Sequence, residues 1–332
     1  MIVAGAGIIG LSCAWRLSQR GVSVTVFDAR NAASEASWAG AGMLAPGGEV
    51  ENSSPLAQIA LDSLALYPDF VAELKDISDV SIDYQRRGSV EIALNEAEAE
   101  ALERRAIAQL AIGIHSESHH YEGSLSARFF PDDQLVSPRD VTAALRVACL
   151  RAGVSIREHE PVVEILDDGA GVRTEHCEYR GDGVLIAAGA WSSSLWRGLP
   201  ATMPVRGHLI AYRPDRELLG PILRHGQTYL VQRSNGTLIA GSSTECVGFD
   251  RTIDERIVNE IHCRASSLFP ELGSLGPAER WNGFRPGVEG GMPVVGHIEG
   301  TAIWTAFGHY RNGILLAPET ARIIAESVLS VA

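Results

Sequence analysis

The sequence predicts an α/β fold in which a βα layer is left and re-entered twice, the excursions forming a second domain. Three observations predict it. The chain opens with a complete βαβ pattern around "GAGIIG"; a well-marked helix and an apolar strand return at "SPRDVTAALRVACLRAG" and "GVLIAAGAWSSSL"; and a strand, a loop and a helix close it at "AIWTAF", "GHYRNG" and "ILLAPETARIIAESVL". At 332 residues the chain exceeds what a single hydrophobic core usually serves, so two joined domains are expected.

The first element is a short apolar strand, Ile2 to Ala4, followed by Gly5, Gly7 and Gly10 in G-x-G-x-x-G spacing and then a helical pattern. Glycines so placed permit a tight turn, let a pyrophosphate reach backbone N–H groups, and let the helix pack close to the strand. The helix N-terminus presents its positive dipole end to the anion. Gly21 is suited to end that helix, and "VSVTVFDAR" gives a second strand ending in Asp28, where a carboxylate would bond a ribose hydroxyl. The residues leave open which dinucleotide it is.

"NAASEASWAGAGMLAP" is rich in small residues and without period, as for an irregular segment laid against something large and flat. "SPLAQIALDSLALYPDFVAELKD" reads as a helix with Ser54 as N-cap and Pro55 at the first helical position. From about Tyr84 the character changes: "GSVEIAL" is a strand and "NEAEAEALERRAIAQLAI" an exposed, charge-rich helix of the second domain. Ser137, Pro138, Asp140 and Gly153 then mark both ends of the returning helix. "VSIREHEPVVEIL" gives further strands, and "TYLVQRSNGTLIAGSS" a hairpin, with Asn235 and Gly236 in a type I′ turn and Tyr229 and Val231 on one face.

Composition narrows the function. With 28 basic against 41 acidic residues, a net charge of −13 and no Lys/Arg block, nucleic acid and membrane surface are poor partners. The apolar runs are strand-sized and the first strand begins at once, from which a cytoplasmic protein is expected. Cys13, Cys149, Cys177, Cys246 and Cys263 are odd in number and scattered, which predicts no disulfide framework and no metal, only reduced and mostly buried thiols.

This order of pieces resembles the D-amino acid oxidase family of flavoproteins, and within it the glycine oxidases, the thiamine-pathway type of amine oxidase. The stretches that carry the resemblance are "GAGIIG" with Asp28, "WAGAGMLAP", "AAGAWS", and "WNGFRPG" followed by "GMPVVG" and "GHYRNGILLAP". The resemblance implies noncovalent FAD. It implies a Rossmann-like FAD-binding domain (1–80, 136–202 and 290–332) interleaved with a substrate domain (81–135 and 203–289) on a mixed, largely antiparallel sheet. Carried over residue by residue, Gly5, Gly7 and Gly10, with Ile8 and Ile9, would cradle the pyrophosphate. Asp28, with Ala29 and Arg30, would hold the adenosine ribose, and Val162 would offer backbone contacts to adenine. Ala41, Gly42, Met43 and Leu44 would lie along the flavin. Ala188, Gly189 and Trp191 belong to the same cofactor set, Trp191 packing beside the adenosine end. Gly308, His309, Tyr310, Arg311, Asn312, Gly313 and Ile314 would form the flavin-side loop and helix start. Arg285 matches the substrate-carboxylate arginine, next to the flavin, Tyr229 the hydroxyl that assists it, and Arg311 a residue near the substrate. Gln227 stands where the glycine oxidase pattern has histidine, a departure that bears on substrate range.

Amine oxidation by flavin needs mainly that the substrate be oriented, and a planar guanidinium such as Arg285 fixes a small carboxylate in position and rotation. A helix N-terminus at Gly313 would stabilise negative charge developing on the reduced ring. His309 is expected to bond backbone and not to act as a base. Two functions compete: an oxidase of glycine, sarcosine or small D-amino acids that uses dioxygen, leaning toward a homo-oligomer, and a flavoprotein subunit that passes electrons to a partner protein. An NAD(P)-dependent dehydrogenase fits less well, because of the small-residue flavin segment and the C-terminal motif.

Overall fold

The computed structural model describes residues 1–331. One sheet has six strands in the order Val294–Ile298, Ile303–Phe307, Val184–Ile186, Ile2–Ala4, Thr25–Phe27, Ser155–Arg157. Its pairs are parallel except the antiparallel edge pair Val294–Ile298 and Ile303–Phe307. Strand alternation gives it two apolar faces, as a covered parallel sheet requires. Val3, Val26, Leu185 and Ala306 join the core built with helices Ile8–Gln19, Pro55–Ser78, Pro138–Arg151 and Gly313–Val331. Ile2, Ala4, Phe27, Val184 and Ile186 enter a second core with Ile165 and Val172 of an antiparallel three-stranded sheet.

The other large sheet has eight strands, in the order Glu279–Val288, Thr202–Tyr212, Leu238–Gly241, Thr228–Gln232, Ile222–His225, Ser89–Ala93, Ser126–Phe130, Glu117–His119. It is antiparallel apart from Ile222–His225 beside Ser89–Ala93. Helix Glu255–Leu268 closes one face through Val258, Ile261, Ala265 and Leu268. The opposite face carries Leu209, Tyr229, Val231 and Trp281, which pack on Ala39, Ala41 and Met43. The small-residue segment thus lies between the two sheets, with a short helix Ala36–Ala39 and a strand Met43–Leu44 inside it.

Ser54 and Ser137 cap their helices as the sequence predicts, accepting hydrogen bonds from the Ala57 and Asp140 N–H groups. The C-terminal helix has Pro318 inside it, and proline has no N–H for the carbonyl of Ile314 four residues back. The buried Tyr67 hydroxyl donates to that carbonyl at 2.5 Å, and Ser63 donates to the Leu315 carbonyl at 2.6 Å. These two bonds fix the start of the last helix from the side.

Two local expectations are corrected. Only Gly236 of the hairpin loop takes a positive φ, +87°, so the turn is not type I′. It is a three-residue loop closed by a left-handed glycine, and Asn235 contributes its side chain, accepting the Thr237 N–H at 3.0 Å. Of the five cysteines only Cys13 and Cys149 are buried; Cys177, Cys246 and Cys263 are exposed, on a turn, a loop and the outer side of a helix.

Candidate active site

A cavity of ≈ 470 Å³ extends from the carboxyl ends of the parallel strands, at Ala4, Phe27 and Phe307, to Gly207, Leu209 and Arg285 of the eight-stranded sheet. At its first end the chain turns sharply at Gly5, whose φ is +109° and whose Cβ would stand 2.4 Å from the Ala187 carbonyl oxygen. Gly7 then opens helix Ile8–Gln19 toward the cavity, and Ser37 accepts the Ile8 N–H at 2.9 Å. First-turn N–H groups have no intrahelical partner, so this end is a ready anion site.

Asp28 follows strand Thr25–Phe27 and accepts hydrogen bonds from the N–H groups of Ala6 at 2.8 Å and Arg30 at 2.9 Å. Burial nonetheless pushes its carboxyl up. Glu35 stands in the same wall; its Oε1 pairs with Arg30 and Arg251 at 3.0 and 2.8 Å, and its Oε2 is buried with no partner. Two carboxylates with spare acceptor capacity beside an anion-binding helix end fit the ribose and pyrophosphate of FAD. Glu35 was not singled out by sequence, since it belongs to the patternless segment.

Nearly all of the residues expected at the cofactor line the cavity: Gly5, Gly7, Ile8, Ile9, Asp28, Ala29, Arg30, Ala41, Gly42, Met43, Val162, Ala188, Gly189, Trp191 and the run Gly308 to Ile314. Two do not. A Cβ on Gly10 would fall 1.9 Å from the Gly5 carbonyl oxygen, so Gly10 serves the close packing of helix on strand and is itself buried. Leu44 is fully buried in the helix-side core, because strand alternation sends it away from the cavity that Met43 faces.

At the other end, Arg285, Tyr229 and Arg311 come together with Glu49 and Ser242. Arg285 donates through Nη1 to the Ser243 carbonyl at 3.0 Å and through Nη2 to the Ser242 hydroxyl at 2.9 Å. Among the described residues no carboxylate stands within 4.0 Å of it. Its guanidinium lies over Gly207, where a Cβ would meet Nη1 at 2.3 Å. Burial pushes the Tyr229 hydroxyl up, so it remains a protonated donor. Arg311 is held differently, by Glu49 Oε1 at 2.9 Å. Burial pushes Glu49 up while Arg311, Arg224 and Arg285 oppose that shift. Glu49 is a site residue that sequence reading missed; its signal was the "PGGE" turn, whose glycines let Phe130 and Arg224 pack directly on the backbone.

Two further expectations change. His309 does not bond backbone: its Nε2 is 3.0 Å from the Thr320 hydroxyl, and burial lowers its pKa to about 3, so the ring is neutral. Gln227 is exposed, off the cavity wall, and meets the site only through its carbonyl, which accepts the Ser242 N–H at 3.2 Å. Trp191 lines the cavity and stacks on Phe249 at 4.6 Å between centroids.

Comparison with known proteins agrees with this geometry. The family model described as FAD dependent oxidoreductase (DAO) matches residues 1–327. The chain is 32% identical over 345 residues to a glycine oxidase of Geobacillus kaustophilus, covering 98% of this chain and 92% of that one. It is 31% identical over 341 residues to a glycine oxidase of Pseudomonas aeruginosa, covering 98% and 93%. The crystal structure of glycine oxidase from Geobacillus kaustophilus superposes with a TM-score of 0.95 at 31% identity, covering 99% of this chain and 94% of that one. No helix among the described residues is long and apolar enough to cross a membrane. The chain is therefore an FAD-binding flavoprotein, an oxidoreductase of the DAO family.

Proposed function

We propose that the chain catalyses FAD-dependent oxidative deamination of glycine, sarcosine or small D-amino acids, with dioxygen as final acceptor and hydrogen peroxide as product. The observation that carries this reading is Arg285, a guanidinium in the cavity wall with no carboxylate partner among the described residues and with only neutral acceptors, Ser242 and Ser243, behind it. Each Nη retains a second N–H, so the group can take a substrate carboxylate bidentately. Arg311 does not compete for it, being engaged by Glu49.

The substrate loses a hydride from Cα and a proton from nitrogen to give the imino acid; when bound, FAD supplies the two-electron acceptor that dioxygen regenerates. Arg285 would anchor the carboxylate, the Tyr229 hydroxyl would donate to it, and Met43 with Tyr229 would limit side-chain size. The loop from Gly308 to Gly313 would set the helix start against the flavin's developing charge. Residues 1–80, 136–202 and 290–332 would form the cofactor domain, and 81–135 and 203–289 the substrate domain.

A panel of amines mixed anaerobically with the holoenzyme tests the reading by flavin bleaching. Glycine, sarcosine, D-alanine and D-proline should bleach faster than D-phenylalanine, and aerobic turnover should consume oxygen and release peroxide. Faster bleaching by bulky D-amino acids overturns the substrate class; bleaching without oxygen consumption overturns the acceptor.

A further inference from the structure

Behind Arg285 lies a buried polar chain that the proposed reaction does not touch. Ser243, whose carbonyl holds Arg285, accepts the His208 N–H through its hydroxyl at 2.8 Å and donates to Glu245 Oε1 at 2.6 Å. Glu245 Oε1 is also 2.8 Å from His208 Nδ1. Because His208 Nε2 accepts the Asp254 N–H at 3.2 Å, the proton must sit on Nδ1, which donates to Glu245. Glu245 Oε2 receives Arg206 at 3.2 and 2.7 Å, and Arg206 continues to the carboxylate and carbonyl of Asp250 and the carbonyl of Thr252.

The backbone repeats the link: Arg206 and Glu245 exchange N–H to carbonyl bonds at 2.9 and 3.0 Å. His208 is wholly buried and Arg206 nearly so. Between them in sequence is Gly207, the residue on which the Arg285 guanidinium rests. Burying an arginine and a histidine beside a ligand cavity is costly unless their donors and acceptors are met, and here the bonds run through the half-buried Glu245 to Ser243, whose carbonyl holds Arg285.

We propose that Ser243, Glu245, His208 and Arg206 form a positioning relay that sets the rotation of the Arg285 guanidinium and so the affinity for the substrate carboxylate. The inference rests on Arg285 being the carboxylate site. The relay residues line no part of the cavity; Arg206, His208 and Glu245 act through Ser243, whose carbonyl holds Arg285, while Ser242 is fixed separately, its N–H donating to the Gln227 carbonyl at 3.2 Å and its carbonyl accepting from Arg264 at 3.1 Å. Loss of one relay bond lets the guanidinium turn out of the plane that a bidentate carboxylate needs.

The test uses FAD-loaded enzyme and glycolate, a carboxylate with a hydroxyl in place of the amine, titrated by its perturbation of the flavin spectrum. Ser243→Ala removes the hydroxyl and keeps the carbonyl; Glu245→Gln keeps the shape but cannot accept from both His208 and Arg206. Each should raise the glycolate Kd and the glycine KM by roughly two- to ten-fold, the range for one lost hydrogen bond, with kcat within about two-fold. The KM for methylamine, which has no carboxylate, should not move. Unchanged glycolate affinity in both variants, or equal losses for glycine and methylamine, overturns the relay. If Glu245→Gln does not fold, Ser243→Ala decides alone, since it removes a single atom. Arg285→Ala separates the two inferences: wild-type glycolate binding there refutes the carboxylate site itself, whereas lost binding there with normal binding in the relay variants refutes only the relay.

Discussion

Arg285 and Arg311 line one cavity, yet only Arg311 has a carboxylate partner, Glu49 at 2.9 Å. That difference predicts which arginine the substrate needs. Removing one partner of a buried charge pair costs about 2–5 kcal/mol, so Arg285→Ala should lower kcat/KM for glycine by roughly thirty-fold to several thousand-fold. Bound FAD should stay, and turnover of simple amines should change much less; steady-state kinetics on both substrate types checks it. Lysine should restore activity only partly, since a point charge lacks the guanidinium fork. His309 gives a pH prediction. Its folded pKa of about 3 lies below the ordinary 6.5, so the unfolded chain binds the extra proton between these values. The neutral ring therefore costs nothing above pH 6.5, and as pH falls from 6.5 toward 3 the fold loses up to about 1.4 kcal/mol per unit from this group. His309→Gln should lack that loss, so the variant should gain stability relative to wild type between pH 7.5 and pH 5, as read by urea denaturation.

At the scale of elements, the start of the C-terminal helix depends on a bond borrowed from another helix. Pro318 cannot donate to the Ile314 carbonyl, and Tyr67 does so in its place. Tyr67→Phe should cost about 1–3 kcal/mol, the penalty for a buried unpaired acceptor, and Pro318→Ala, which supplies an N–H, should recover part of it. Chemical denaturation of the four proteins of that cycle measures the coupling. The same elements show what the sequence made legible. Gly5 and Gly7 stand two residues apart, Asp28 ends the second strand of the same βαβ unit, and Ser54 and Ser137 cap the turns that follow them, so pattern and spacing expose them. Strand parity in a two-residue strand is not legible from a motif match, and Leu44 was expected at the cavity although it faces the core. Glu49, Glu35 and the pair Ser242 and Ser243 reach the site through contacts from distant parts of the chain, with Arg311, Arg251 and Arg285. No local pattern encodes such contacts.

Over the whole molecule, the cavity lies between two sheets that are also joined by a strap, the loop from Glu245 to Thr252. Arg206 ties its far end to the eight-stranded sheet through Asp250 and Thr252. From there Phe249 stacks on Trp191 at 4.6 Å between centroids and Arg251 pairs with Glu35 at 2.8 Å, both partners being cavity-lining residues beside the parallel sheet. Leaving the cavity past Trp191 and Glu35 requires these two contacts to yield. The ion pair is partly exposed and contributes about 0.2–1 kcal/mol, and the ring pair adds about 0.5–1.5 kcal/mol. Replacing Phe249 and Arg251 together by alanine should therefore speed FAD release by roughly three- to sixty-fold, followed by the rise of free-flavin fluorescence on dilution. Phe249 and Arg251 also pack on the buried Phe284, at 5.5 Å between ring centroids and 5.1 Å from guanidinium to ring, so the apoprotein's Tm should fall a little, but less than the holoprotein's, because the stabilisation given by a fixed excess of FAD also shrinks as its Kd rises. A variant that lowers the apoprotein's Tm as much as the holoprotein's would mean that the strap braces the fold and does not retain the cofactor.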